Sequence, residues 1–106
     1  MISRIWHGYT TPENADAYET LPKSEIFVGI RGRSIPGFEE IQLFRRDLGK
    51  EVEFITTLWF DSFESVRAFA GQDYKAAVGP AKARSVLKHF DERSQHYEVR
   101  ERLKGS

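Results

Sequence analysis

The sequence has no cysteine and only one methionine. Without thiols, disulfides and thiolate metal sites are excluded. No apolar run approaches the ~20 residues that a membrane helix needs. The N-terminal stretch has no apolar core of the kind that marks a signal peptide. Neither sign of charge is in excess: sixteen basic residues balance sixteen acidic ones. No global field therefore steers the chain toward nucleic acid or an anionic membrane. Neither H-x-x-x-H nor H-E-x-x-H occurs, so no metal site is expected. No glycine-rich turn leads from a strand into a helix, which leaves nucleotide binding without support. Internal repeats, low-complexity tracts and linkers are also missing. The expectation is a soluble cytoplasmic protein that binds neither nucleic acid nor membrane.

What is present is a dense set of rings. Of the 106 residues, 13% are aromatic and eight are phenylalanine. A chain of this length makes one domain and buries roughly two-thirds of its unfolded surface. So many rings predict a ligand cavity, a subunit interface, or both. Residues 1–99 are expected to form that domain, and residues 100–106 a polar, frayed tail.

"ISRIWHGY", residues 2–9, reads as a strand of β-branched and aromatic residues that Gly8 ends. Thr11 and Pro12 open a helix, as cap and first-turn residue. Ala17, Tyr18 and Leu21 then share a face. Pro22 predicts a kink or break. Beyond it Ile26, Phe27 and Ile30 form a second stripe, ended by Gly29 or Gly32. "IPGF", residues 35–38, is a turn, and residues 38–47 are a strand. Leu48, Gly49 and Lys50 make a hairpin loop into "EVEFITTLWF", residues 51–60. The second half of that strand is apolar on both faces, so both faces are expected to be covered. Helices supply one cover. A second sheet, from another subunit, supplies the other.

Asp61 or Ser62 caps the next helix, which places Phe63, Val66, Phe69 and Ala70 inward and stops at Gly71. "DYKAAV" adds a turn. Pro80 opens a further helical piece, with Ala83, Val86, Leu87 and Phe90 at i, i+3, i+4 and i+7. "RSQHYEV", residues 93–99, closes the chain as a strand. The order β-α-β-β-α-β predicts an α+β, ferredoxin-like fold with an antiparallel four-stranded sheet. Ile5, Leu43, Phe44, Ile55, Leu58, Trp59 and Phe60 are too many large apolar side chains for a wet face.

The stretches "RIWHG", "PGF", "TTLWFDSFESVRAFAG" and "HYEV" resemble the antibiotic biosynthesis monooxygenase family, over roughly residues 2–99. That resemblance implies a homodimer whose two sheets close a dimeric α/β barrel. Members include cofactor-free oxygenases of polycyclic phenols, haem-degrading oxygenases and proteins with no known reaction, so the fold alone does not give the function.

His7 is the sharpest candidate, because the corresponding stretch in haem-degrading relatives carries a ligand-facing asparagine. An imidazole there acts as a base near neutral pH, or else orders the strand end. Arg4 and Trp6 lie on the other face of the same strand. Either face is able to line the cavity. His96, in the closing strand, is an alternative base or an interface residue. His89 follows Lys88 at an expected helix end, where a cation complements the dipole. Haem-degrading relatives carry a tryptophan two residues before the serine that matches Ser62. Phe60 stands there instead, and the iron-ligating histidine's place falls on Val78.

The expected activity is therefore a cofactor-free monooxygenase acting on a small hydrophobic or aromatic ligand. His7 or His96 is cast as base and Arg4 as anion partner, with Trp6, Phe44, Leu58, Trp59 and Phe60 around the substrate. The rival is a non-enzymatic dimer whose barrel is filled by its own side chains, and haem degradation stands third. An open pocket of roughly 300 Å³ or more with converging polar groups favours the enzyme.

Overall fold

The computed structural model describes residues 1–71 and 85–105. Strand β1 spans Ile2–Thr10. A 3-10 turn, Pro12–Asn14, leads into α1, Ala15–Leu21. A π turn over Pro22–Ile26 continues into α2, Phe27–Gly32. Strands β2 (Phe38–Asp47) and β3 (Val52–Phe60) form a hairpin, followed by α3, Phe63–Ala70. Two short strands, β4 (His89–Phe90) and β5 (Gln95–Glu98), complete the order. The sheet is antiparallel throughout, with β2 beside β3, β3 beside β1, and both β4 and β5 on the far edge of β1. This is the expected ferredoxin-like arrangement, with its fourth strand in two pieces. One chain's sheet stays open.

Turn chemistry matches the sequence closely. Gly37 takes φ +79°, as the turn after Pro36 requires, and the Phe38 N–H donates to the Ile35 carbonyl at 3.2 Å. A Cβ on Gly37 would overlap the Asp61 carboxylate, so space and torsion both demand glycine. Ser62 caps α3 through its hydroxyl, which accepts from the Ser65 N–H at 3.2 Å. Gly71 ends α3 at φ +88°.

Four expectations change. β1 does not end at Gly8 but runs on to Thr10. Glycine is used there for close approach: a Cβ would sit 3.0 Å from the Trp6 ring and 3.2 Å from Leu87. Pro22 does not break the helical path. It has no N–H to continue the i−4 ladder, and the chain widens into a π turn in which the Phe27 N–H reaches back to the Pro22 carbonyl. Ala17 faces outward, and the inner residues of α1 are Ala15 and Tyr18. Finally, Val86, Leu87 and Phe90 are not on a helix: turn and extended backbone lead into β4. Pairing of Phe90 with Gly8, and of the Val86 carbonyl with the Thr10 hydroxyl at 2.8 Å, ties this stretch to β1 and overrides the helical spacing. The expected turn at "DYKAAV", the helix start at Pro80, and Val78 lie outside the described residues.

Two clusters hold the helices on one face of the sheet. Ile2, Leu58 and Phe60 pack against Ile30, Val66 and Phe69. Val52 and Phe54 pack against Ala15 and Tyr18, with Trp6, Leu43 and Leu87 at the margin. Alternation then sends Ser3, Ile5, His7 and Tyr9 of β1 to the opposite face, with Ile55, Thr57 and Trp59 of β3 beside them. The register adds Phe44 next to Ile55, and Tyr97 next to Ser3. Among the described residues no element covers this second face, where Phe44 is 45% and Tyr97 54% exposed.

Candidate active site at the end of the first strand

Trp6 and His7 point to opposite faces, yet both bind the same residue. The Trp6 indole N–H donates to the Asp91 carbonyl at 2.6 Å. On the other face, His7 Nδ1 lies 2.7 Å from Asp91 Oδ2, and the His7 backbone N–H donates to that same oxygen at 2.9 Å. Gln95 adds a third donor, its Nε2 at 3.1 Å. The Asp91 N–H in turn donates to the His7 carbonyl at 2.9 Å. The side chains of His7 and Asp91 are each 29% exposed. Burial pushes the Asp91 carboxyl up, but the hydrogen bonds from His7 and Gln95 outweigh it and hold the group below the usual carboxylate range. An ionised carboxylate only accepts, so the neutral His7 ring carries its proton on Nδ1 and its lone pair on Nε2. Around the imidazole stand Ile5 and Tyr9 on the same strand and Ile55 opposite.

Arg4 and His96 form a separate unit on the helix-facing side. Arg4 is 2% exposed and lies 3.0 Å from His96 Nε2. Guanidinium groups only donate, so His96 accepts on Nε2 and keeps its proton on Nδ1. Burial lowers the Arg4 pKa to about 10. The guanidinium also sits 5.4 Å from the centre of the Phe69 ring.

The structure thus divides the sequence candidates between two faces. Arg4, His96, Trp6, Leu58 and Phe60 lie on the helix side, and His7, Phe44 and Trp59 on the open side. Arg4 and His96 come together, whereas the sheet separates Arg4 from His7. Phe60 is fully buried between the Phe38 and Phe69 rings. The Trp59 indole donates to Gln42 at 2.9 Å, and the two line an open cleft of about 440 Å³. Phe44 and Ile55 line another, of about 420 Å³. His89 sits in β4 rather than at a helix end: its Nε2 is 3.0 Å from Glu51, and its ring stacks on Tyr9 at 4.3 Å. Asp91 and Gln95 escaped the sequence reading, because nothing local marks an aspartate 84 positions from its histidine.

No family model matches the sequence, and no curated protein is significantly similar to it. Solved structures are. A proposed antibiotic biosynthesis monooxygenase from Bacillus cereus superposes with a TM-score of 0.74 at 13% identity, covering 100% of this chain and 97% of that one. The haem degrader MhuD from Mycobacterium tuberculosis, solved with two haems in its active site, gives a TM-score of 0.57 at 25% identity, covering 98% and 100%. Rv0793 from the same organism gives 0.59 at 14% identity, covering 97% and 98%. No helix among the described residues is long and apolar enough to cross a membrane. By its strand order, its helix placement and these likenesses, the chain has the fold of the antibiotic biosynthesis monooxygenase proteins.

Proposed function

We propose that this protein is a cofactor-independent monooxygenase that works as a homodimer on a small, flat aromatic substrate, with His7 as the base. The observation that carries this reading is an imidazole on the uncovered sheet face, held by Asp91 through Nδ1 so that its lone pair is on Nε2. His96 is set aside as base because its Nε2 lone pair already accepts from Arg4. Arg4 is set aside as partner to His7 because it lies across the sheet.

The chemistry asked of the protein is small. Nε2 takes a proton from a phenol with an activated C–H, which leaves an electron-rich anion. That anion supplies both electrons to dioxygen and forms a C–OOH group at the activated carbon. Loss of water leaves a C=O there, so one oxygen atom enters the product and the other leaves as water. Ile5, Phe44 and Ile55 supply apolar surface for the ring, and the facing sheet of a second subunit excludes water. The test is dioxygen uptake with an electron-rich phenol in chelator-treated buffer. One carbonyl formed per dioxygen consumed supports the reading, and no uptake across a panel of such phenols rejects it.

The homodimer is open to a direct measurement. Phe44, Tyr97, Ile5, Ile55 and Trp59 share the uncovered face, and an apolar face of this kind marks a subunit contact. Sedimentation at micromolar concentration is expected to show twice the 12.3 kDa chain mass. A folded species of one chain mass would contradict it.

Haem degradation is the second reading, supported by the likeness to MhuD. Among the described residues only His7 offers an iron ligand. His96 Nε2 accepts from Arg4 and His89 Nε2 is held by Glu51, whereas a ring whose Nδ1–H is held by a carboxylate keeps Nε2 for a metal. At the place that the resemblance gives to the iron ligand the chain has Val78, which has no donor atom. Titration with haem is therefore expected to give no Soret band that saturates at one per subunit and survives loss of His7. A band that does so would favour the haem reading, and one that His7→Ala abolishes would make His7 the iron ligand.

A further inference from the structure

We infer that Asp91 is the positioning residue of the His7 base: its carboxylate selects the ring tautomer and aims Nε2 at the open face. This rests on the reading of His7 as the group that takes the substrate's proton.

Asp91 lies just beyond β4 and is pinned at its N–H, its carbonyl and its Oδ2. Its N–H and carbonyl are fastened to the two neighbours at the middle of β1, the first to His7 and the second to Trp6. Its Oδ2 collects the His7 ring, the His7 backbone N–H and the Gln95 amide. A carboxylate that only tethered a loop would need the backbone bonds alone. Here the side chain is directed at Nδ1, with β1 below and β5 beside it. Gln95 is anchored in its turn by the Arg93 carbonyl at 3.0 Å, so the carboxylate is braced from behind. Two consequences follow. With Nδ1–H committed to Asp91, the ring cannot swap tautomers without leaving that bond, and Nε2 stays the proton acceptor. When Nε2 takes the substrate's proton, the positive charge forms 2.7 Å from a carboxylate that is already ionised and already oriented. The proton leaves the substrate and rests on Nε2, and Asp91 gains none.

The adjacency of Trp6 and His7 then has one explanation. Side-chain alternation lets two neighbours grip a single residue from both faces of the sheet. The indole fixes the main chain of Asp91, and the imidazole receives its side chain.

The experiment is nitrogen NMR of protein labelled in its histidines, with the His7 signals assigned by their loss in His7→Gln. The intact protein is expected to show His7 protonated on Nδ1 and bare on Nε2. In Asp91→Ala nothing accepts from Nδ1, and the proton is expected to leave it for Nε2 in a measurable share of the molecules. kcat on the phenol then falls at least about 100-fold with KM unchanged, as when a base loses the carboxylate that orients it. Asp91→Glu should restore the native tautomer and part of kcat. A native ring protonated on Nε2 overturns the inference, as does an Asp91→Ala ring that keeps Nδ1–H throughout. If Asp91→Ala fails to fold, the tautomer of the intact protein decides the matter by itself. If the tautomers behave as expected and no phenol is turned over, the functional reading fails while the positioning role stands.

Discussion

His7→Ala is expected to lower phenol turnover by at least ~100-fold while the fold is kept, because positioned acid–base catalysis typically contributes 10²–10⁴-fold. The substitution removes the imidazole that lies on the open side of the sheet with Nδ1 held by Asp91 and its lone pair on Nε2. It does not remove the backbone bonds that hold the strand: the His7 N–H still reaches Asp91, and the Asp91 N–H still reaches the His7 carbonyl. The cost in stability should stay at ~1.5–3 kcal/mol, the worth of one side-chain hydrogen bond to a charged group. Steady-state kinetics and thermal melting of the same preparation separate the two effects. Should His7→Ala melt as early as Trp6→Ala, or keep its turnover, the imidazole is structural and the catalytic reading is lost. Trp6→Phe is the companion variant. It removes the indole N–H from the Asp91 carbonyl on the helix side, so it should disturb packing and lower the rate far less than His7→Ala, because the Asp91 carboxylate keeps its own bonds to His7 and Gln95.

Phe60→Ala is expected to act on stability instead, by ~3–5 kcal/mol, the range for removing a buried ring and leaving a cavity. Phe60 was a candidate for contact with substrate. The structure places it at 0% exposure, 5.7 Å from the ring centres of both Phe38 and Phe69. It joins β3 to the start of β2 and to α3, so no neighbour is free to fill the void. Domains are stable by only about 5–15 kcal/mol in all, and a loss of this size is a large part of that margin. Urea unfolding should show a lower midpoint with the slope retained. An unchanged midpoint would mean that Phe60 is not the core residue described here. A raised KM with unchanged stability would return it to the substrate site.

Much of this architecture was legible without coordinates. Proline and glycine torsions located the turn at Ile35–Phe38, and a serine hydroxyl located the start of α3. Alternation separated Trp6 from His7 and Trp59 from Phe60. The failures share a cause. Glycine weakens strands locally, so Gly8 reads as a terminator, and only Leu87, 3.2 Å from where a Cβ would stand, shows why a strand keeps it. Val86, Leu87 and Phe90 keep a helical period, yet pairing with β1 offers Phe90 a ladder partner in Gly8. In both places a long-range contact outweighed a local preference of about 1 kcal/mol.

By itself the sequence determined the order of the elements, the turns between them and the two faces of each strand. All of these follow from torsions and side-chain directions set within a few residues. Only the tertiary structure decided what each face meets. It sent Arg4 to His96, 92 positions away, and committed that imidazole's lone pair. It also sent His7 to Asp91, which holds Nδ1 and leaves the lone pair on Nε2. Those meetings depend on the register of β5 against β1 and on the path of the chain from β4 to β5. The whole packed sheet sets both, and no stretch of sequence encodes either alone.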